Sequence, residues 1–227
     1  MNQKRFMKRT IQMTALLMMG CLQGFAEAPA TNTPPNKLEP DDAAETWSFS
    51  AYTYTYFQEN ARDYIQPTFK ADRGVLHLEG RYNYEDYETA SVWVGYNYNK
   101  VLFKEMDITV TPMIGGALGE TRGFAPGFEI GITNGNWSFS SEGEYFFDSR
   151  DSGDDFFYNW SELSYGLECG ARLGLVMQKE TDAEVKRGLL VGYDFGHDRH
   201  TFSLTGYFFD LDKGDPMFVI GLGWEFE

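Results

Sequence analysis

The sequence predicts an all-β chain, a single transmembrane antiparallel up-and-down β-barrel of about twelve strands, with ten as the alternative count. Three observations predict it. Apolar residues recur with period two along most of the chain from Thr46 onward, the spacing of strands with one oily face. The opposite face carries charge in the middle of strands. The aromatic residues, among them 14 Tyr and 19 Phe, gather where those runs begin and end.

The stretch Phe124 to Phe147 shows the pattern best. Phe124, Phe128, Ile130 and Ile132 share one parity before the Asn134-Gly135 pair, and Trp137, Phe139 and Tyr145 take the other parity after it. A two-residue Asn-Gly turn reverses parity in this way, with Thr133 expected opposite Asn136. Both oily rows then share one side of the ribbon.

The chain begins with Lys4, Arg5, Lys8 and Arg9, continues through the apolar run Met13 to Met19, and reaches Gly24 and Ala26. This is the layout of a secretory signal cut after Ala26, and the run is too short to cross a bilayer as a helix. Met18-Met19-Gly20-Cys21 loosely resembles a lipobox, so a lipoprotein leader is the alternative. After cleavage Cys169 is the sole cysteine, and no internal disulfide is expected. Losing the four basic residues with the leader takes the formal net charge from −15 to −19. That surface argues against a nucleic-acid partner and suits cationic solutes.

Residues 27–45, EAPATNTPPNKLEPDDAAE, are rich in proline and acid and hold no aromatic residue, so they are expected to be a disordered periplasmic linker. Residues 46–227 form the barrel. Its expected strands run through Trp47–Phe57, Tyr64–Ala71, Val75–Glu85, Thr89–Asn99, Asp107–Gly119 and the two arms of the hairpin. Phe156–Met177 is too long for one strand and is split near Glu168-Cys169-Gly170. Val185–Phe195, Phe202–Asp210 and Phe218–Phe226 complete the set. An even count returns the C-terminus to the side where the chain entered.

Polarity separates this chain from a soluble sandwich. Glu79, Arg81, Glu129, Glu142, Glu144, Glu162, Arg172 and Asp194 share the inward parity with Trp93 and Trp160. Unpaired charges in a dry core would cost several kcal/mol each, so that face needs water or close pairing. The oily row is expected to meet lipid, with Trp47, Trp137, Trp224 and Phe226 at the membrane interfaces. Leu76, Leu78, Tyr82 and Tyr84 are placed on that outer row. Gly115, Gly119, Gly123, Gly127 and Gly131 recur on the inward parity, where they make room for large side chains such as Trp93. Tyr52, Tyr54 and Tyr56 form a row whose facing the sequence leaves open.

The last strand, PMFVIGLGWEF, carries Phe218, Ile220, Leu222, Trp224 and Phe226 on alternate positions. With the alternation upstream, it resembles bacterial outer-membrane β-barrel proteins of the porin-like kind, although Glu227 follows the aromatic that usually ends such chains. The resemblance implies a Gram-negative-type outer membrane, contact with its lipid, and recognition of the last strand by the barrel-assembly machinery.

The expected function is a narrow passive pore for small hydrophilic solutes, cations among them. A closed structural or surface-interaction barrel is the rival, with the acidic loop Asp148–Asp155 as its exposed face, and a lipid-active enzyme is third. His77, His197 and His200 have no serine at a convincing spacing, so no catalytic residue is assigned. Neither His197/His200 nor the loop from Asp210 to Asp215 completes a ligand set, so no metal or cofactor is expected.

Overall fold

The computed structural model describes residues 46–227 apart from Asn60, Lys104 and Asp198. The expected leader and linker lie outside the described residues. The strands are β1 (Ser48–Gln58), β2 (Tyr64–Arg73), β3 (Leu76–Tyr82), β4 (Ala90–Tyr96), β5 (Tyr98–Leu102), β6 (Met106–Leu118) and β7 (Gly123–Asn134). They continue as β8 (Trp137–Asp148), β9 (Phe156–Gly166), β10 (Ala171–Glu180), β11 (Lys186–His197), β12 (His200–Phe209) and β13 (Met217–Phe226).

Every neighbour pair is antiparallel, and β1 pairs with β13 from Phe49↔Phe226 to Gln58↔Met217, which closes the wall. β4 and β5 both pair with β6 and are two halves of one stave, so the wall is a closed barrel of twelve staves. The break falls at Asn97. Its backbone N–H donates to the Val75 carbonyl at 2.8 Å. Its side-chain amide donates to Asp72 at 2.6 Å and its oxygen accepts from the Thr111 hydroxyl at 2.6 Å. An inward-turned Asn satisfied on both sides interrupts the ladder without leaving a buried polar group unpaired.

The hairpin register differs from the expected one. Asn134 pairs with Trp137 and Thr133 with Ser138, so the two-residue loop is Gly135-Asn136. Gly135 adopts φ +57°, the left-handed value that a Gly-first turn requires and that glycine reaches without a Cβ penalty. The shift of two residues keeps every side chain on its expected face but sets Glu142 opposite Glu129 and Glu144 opposite Gly127.

The split of Phe156–Met177 occurs in the turn 167–170, where Gly170 takes φ +85°. Cys169 lies in that turn. The full chain carries a second cysteine that cleavage after Ala26 would remove.

The turns at the end shared by the two termini are short, and the loops at the other end, 83–89, 149–155 and 210–216 among them, are longer. That asymmetry is the one seen in outer-membrane barrels. Among the described residues no helix is long and apolar enough to cross a membrane.

Polarity is inverted relative to a soluble barrel. Val92, Leu118 and Leu175 on the outer wall are 72%, 66% and 58% exposed, whereas Glu79, Arg81 and Glu144 inside are 5%, 4% and 2% exposed. Leu163, Leu175 and Leu189 lie side by side across three strands and make a continuous outer apolar row.

Outward aromatics ring the terminal end of the barrel. Phe69 stacks on Phe49 at 6.0 Å, Phe49 on Phe226 at 5.4 Å, Phe226 on Trp224 at 4.2 Å and Trp224 on Phe202 at 6.1 Å. Trp47 joins through Phe49, and Trp137 packs edge-on against Tyr165 at 5.1 Å. At the opposite end Phe124 stacks on Phe147 at 5.0 Å.

Candidate functional site

Period two in β3 sends His77, Glu79 and Arg81 into the barrel, and the same alternation brings Lys70 from β2, Glu129 from β7, and Glu142 and Glu144 from β8 to meet them. β2 neighbours β3 and β7 neighbours β8, but the two pairs are not adjacent, so the contacts between them cross the interior. Arg81 is the hub. It donates to Glu79 at 2.8 Å and to Glu144 at 3.0 Å, and its guanidinium lies 4.1 Å from the Tyr84 ring and 4.5 Å from the Trp93 ring. A planar cation between two aromatic faces and two carboxylates suits arginine in a way lysine could not match.

Lys70 bonds to Glu129 and stands 3.7 Å from Glu79. It offsets the repulsion that the observed register creates between Glu129 and Glu142. The Tyr84 hydroxyl donates to Glu142 at 2.8 Å, and the Trp93 indole N–H donates to Ser91 at 3.1 Å.

A second group forms around Arg172 on β10. It lies 3.2 Å from Asp194, 3.8 Å from Glu162 and 2.6 Å from the Thr205 hydroxyl, to which it donates. The Trp160 indole donates to Glu162 at 2.7 Å. Trp160 meets Tyr207 and Phe209 edge-on at 5.2 Å and lies 6.3 Å from Tyr54 on the far wall. Tyr56 is buried with them, so the row whose facing was open points inward.

Of the residues with inward parity, Glu79, Arg81, Trp93, Glu144 and Trp160 are buried, and Glu129, Glu142, Glu162, Arg172 and Asp194 are half-buried. On the outer face Trp137 and Trp224 are exposed, and Trp47 and Phe226 are half-buried against neighbouring rings.

Tyr84 departs from expectation. β3 ends at Tyr82, and Asn83 takes a left-handed φ of +58°, which breaks the alternation and turns Tyr84 from the outer row into the barrel mouth. Lys70 was not singled out from the sequence, although it shares its parity with the buried Gln66 and Thr68.

Trp93 needs the glycines around it. A Cβ on Gly115 would fall 2.2 Å from its indole ring, and one on Gly127 would fall 2.9 Å away. Gly115→Val is expected to destabilise the barrel by about 1–3 kcal/mol or more through overpacking. Urea unfolding in lipid vesicles measures it, with Gly131→Val as the control because a Cβ on Gly131 would come no nearer than 4.0 Å to its nearest neighbour, Thr109.

His77 does not converge with the other two histidines, and His197 pairs with His200 across the β11–β12 turn. His77 is buried inside, whereas His200 accepts a 3.3 Å hydrogen bond from Trp224 at the outer rim. In the loop 210–216 Lys213 contacts Glu184 and Asp210, and the hydrogen bond to Glu184 raises its pKa.

No protein-family model matches the chain, and no curated protein matches it either. Solved structures do match in fold. The KdgM porin aligns over 78% of this chain and 99% of its own, with a TM-score of 0.51 and 9% identity. The NanC porin in a rhombohedral crystal form aligns over the same shares with a TM-score of 0.51 and 10% identity. A KdgM porin in complex with disordered oligogalacturonate has a TM-score of 0.50, at 8% identity over 78% of this chain and 98% of its own. The chain thus has the fold of outer-membrane porins.

Proposed function

We propose that this barrel lies in a bacterial outer membrane and passes small hydrophilic solutes through a narrow lumen, with a preference for cations. The inverted polarity carries the reading: apolar side chains cover the outside of a closed barrel and charged ones are enclosed. Such a wall is stable only when its outside meets lipid.

The solute preference rests on charge. The acids Glu79, Glu129, Glu142, Glu144, Glu162 and Asp194 outnumber the bases Lys70, Arg81 and Arg172, and rings of acid select cations in pores. The fold likeness brings the barrel and not the cargo. A polyanion such as the oligogalacturonate of the KdgM complex would meet repulsion from the same acids here.

Trp47, Trp137, Trp224 and Phe226 would sit at the lipid headgroups, where rings with one polar edge are favoured. The signal peptide of residues 1–26 and the linker of 27–45 complete the proposed export and assembly route, with β13 as the segment the assembly machinery reads.

A closed barrel is the second reading, and the Arg81 bridge to both Glu79 and Glu144 favours it, because that bridge spans the interior. Planar-bilayer conductance separates the two. Small discrete cation-selective steps are expected, and Glu129→Gln with Glu142→Gln should lower the cation preference about two- to fivefold by removing two of the enclosed negative charges. Insertion without any current would leave the closed barrel standing.

A further inference from the structure

We propose that His77, Glu79 and Glu129 form a binding site for one first-row divalent transition-metal ion inside the barrel. The imidazole and two carboxylates each offer one donor atom, and those three atoms lie within 4.8 Å of one another. Modest side-chain rotation brings such a set to the roughly 2.0–2.2 Å bonds that zinc makes with nitrogen and oxygen. Imidazole with carboxylate suits zinc, nickel, copper or iron better than calcium or magnesium, which take oxygen alone.

The state of His77 is the independent observation. It is 2% exposed, and among the described residues its Nε2 has no hydrogen-bond partner, although Glu79 Oε2 stands 3.6 Å away. A buried polar atom left unpaired is costly and calls for a ligand. On the other side of the ring Nδ1 lies 2.8 Å from Asp72, which is itself held by Asn97. A carboxylate on Nδ1 fixes the proton there and leaves the Nε2 lone pair on the side of Glu79, the orientation found behind metal-bound histidines. No sequence spacing announces the set, because Glu129 arrives from β7, three staves round the wall from β3.

Lys70 is the competitor. Its ammonium bonds to Glu129 and lies near Glu79, supplying the positive charge that a metal ion would bring. Metal entry expels that ammonium, so affinity is held down by Lys70 and rises when it is removed. The site does not depend on conduction, since binding can be read on protein that carries no current.

The test uses the refolded full chain in detergent micelles, titrated with cobalt(II) for its visible absorption bands and then with zinc in competition. Lys70→Met is expected to bind zinc about tenfold or more tightly than the parent, and Asp72→Asn about tenfold more weakly. His77→Gln and Glu129→Gln, each made in the Lys70→Met background, should both lose the cobalt bands. Glu129 is only part-buried, so its variant controls for misfolding at His77. Unchanged affinity in the His77→Gln variant, or no binding to Lys70→Met at millimolar metal, would overturn the proposal. His197→Ala with His200→Ala should leave the bands intact, and their loss there would place the metal at the rim instead.

Discussion

Arg81→Met is expected to destabilise the barrel by about 3–5 kcal/mol, the cost of removing one partner from a buried ionic network. Glu79 and Glu144, both nearly inaccessible, would keep their burial and lose their common cation. Methionine retains much of the volume between Tyr84 and Trp93, so the effect reports charge more than packing. Urea unfolding in lipid vesicles, followed by tryptophan fluorescence, measures the change. The double variant Arg81→Met with Glu144→Gln should recover part of the loss, because one stranded carboxylate becomes neutral. A single variant as stable as the parent would mean that water already solvates these acids, and the Arg81 bridge would then be no barrier to a solute.

The second large effect is expected on the outside of the wall. Leu175→Arg should cost about 2–4 kcal/mol in a bilayer, because the charge would sit near the middle of the lipid-facing band between Leu163 and Leu189. Leu167→Arg, in the turn near the terminal end, should cost only about 0–1 kcal/mol. The comparison of two similarly exposed leucines isolates depth from side-chain chemistry. In water neither change would carry a penalty. Equal stability of both variants, together with a monomeric parent free of detergent, would remove the membrane from the account.

Much of this barrel was legible in the sequence because strand facing depends only on parity. Parity survives loop-length errors of two residues, at Gly170 as at Gly135, because each step of two returns a side chain to the same face. That is why Glu142 kept its face although its partner changed from Gly127 to Glu129. The triplet Asn134-Gly135-Asn136 offers two turns of equal length, and local chemistry does not choose between them.

Contacts across the interior were illegible for a different reason. Whether Lys70 meets Glu129, or Arg81 meets Glu144, depends on how far each strand is displaced along its neighbour around the whole ring. That sum is not written in any one segment. Tyr84 was misplaced because a single left-handed residue, Asn83, ends the alternation one step before it.

The seam between β1 and β13 has a consequence for how the molecule is made. It joins Phe49 to Phe226, so the first strand to emerge gains its final neighbour only when the last has been synthesised. Until then both margins of the growing sheet are open to other extended chains. Contacts so distant along the polypeptide make assembly slow, and the unfinished sheet needs an escort that a helical protein of equal length would not.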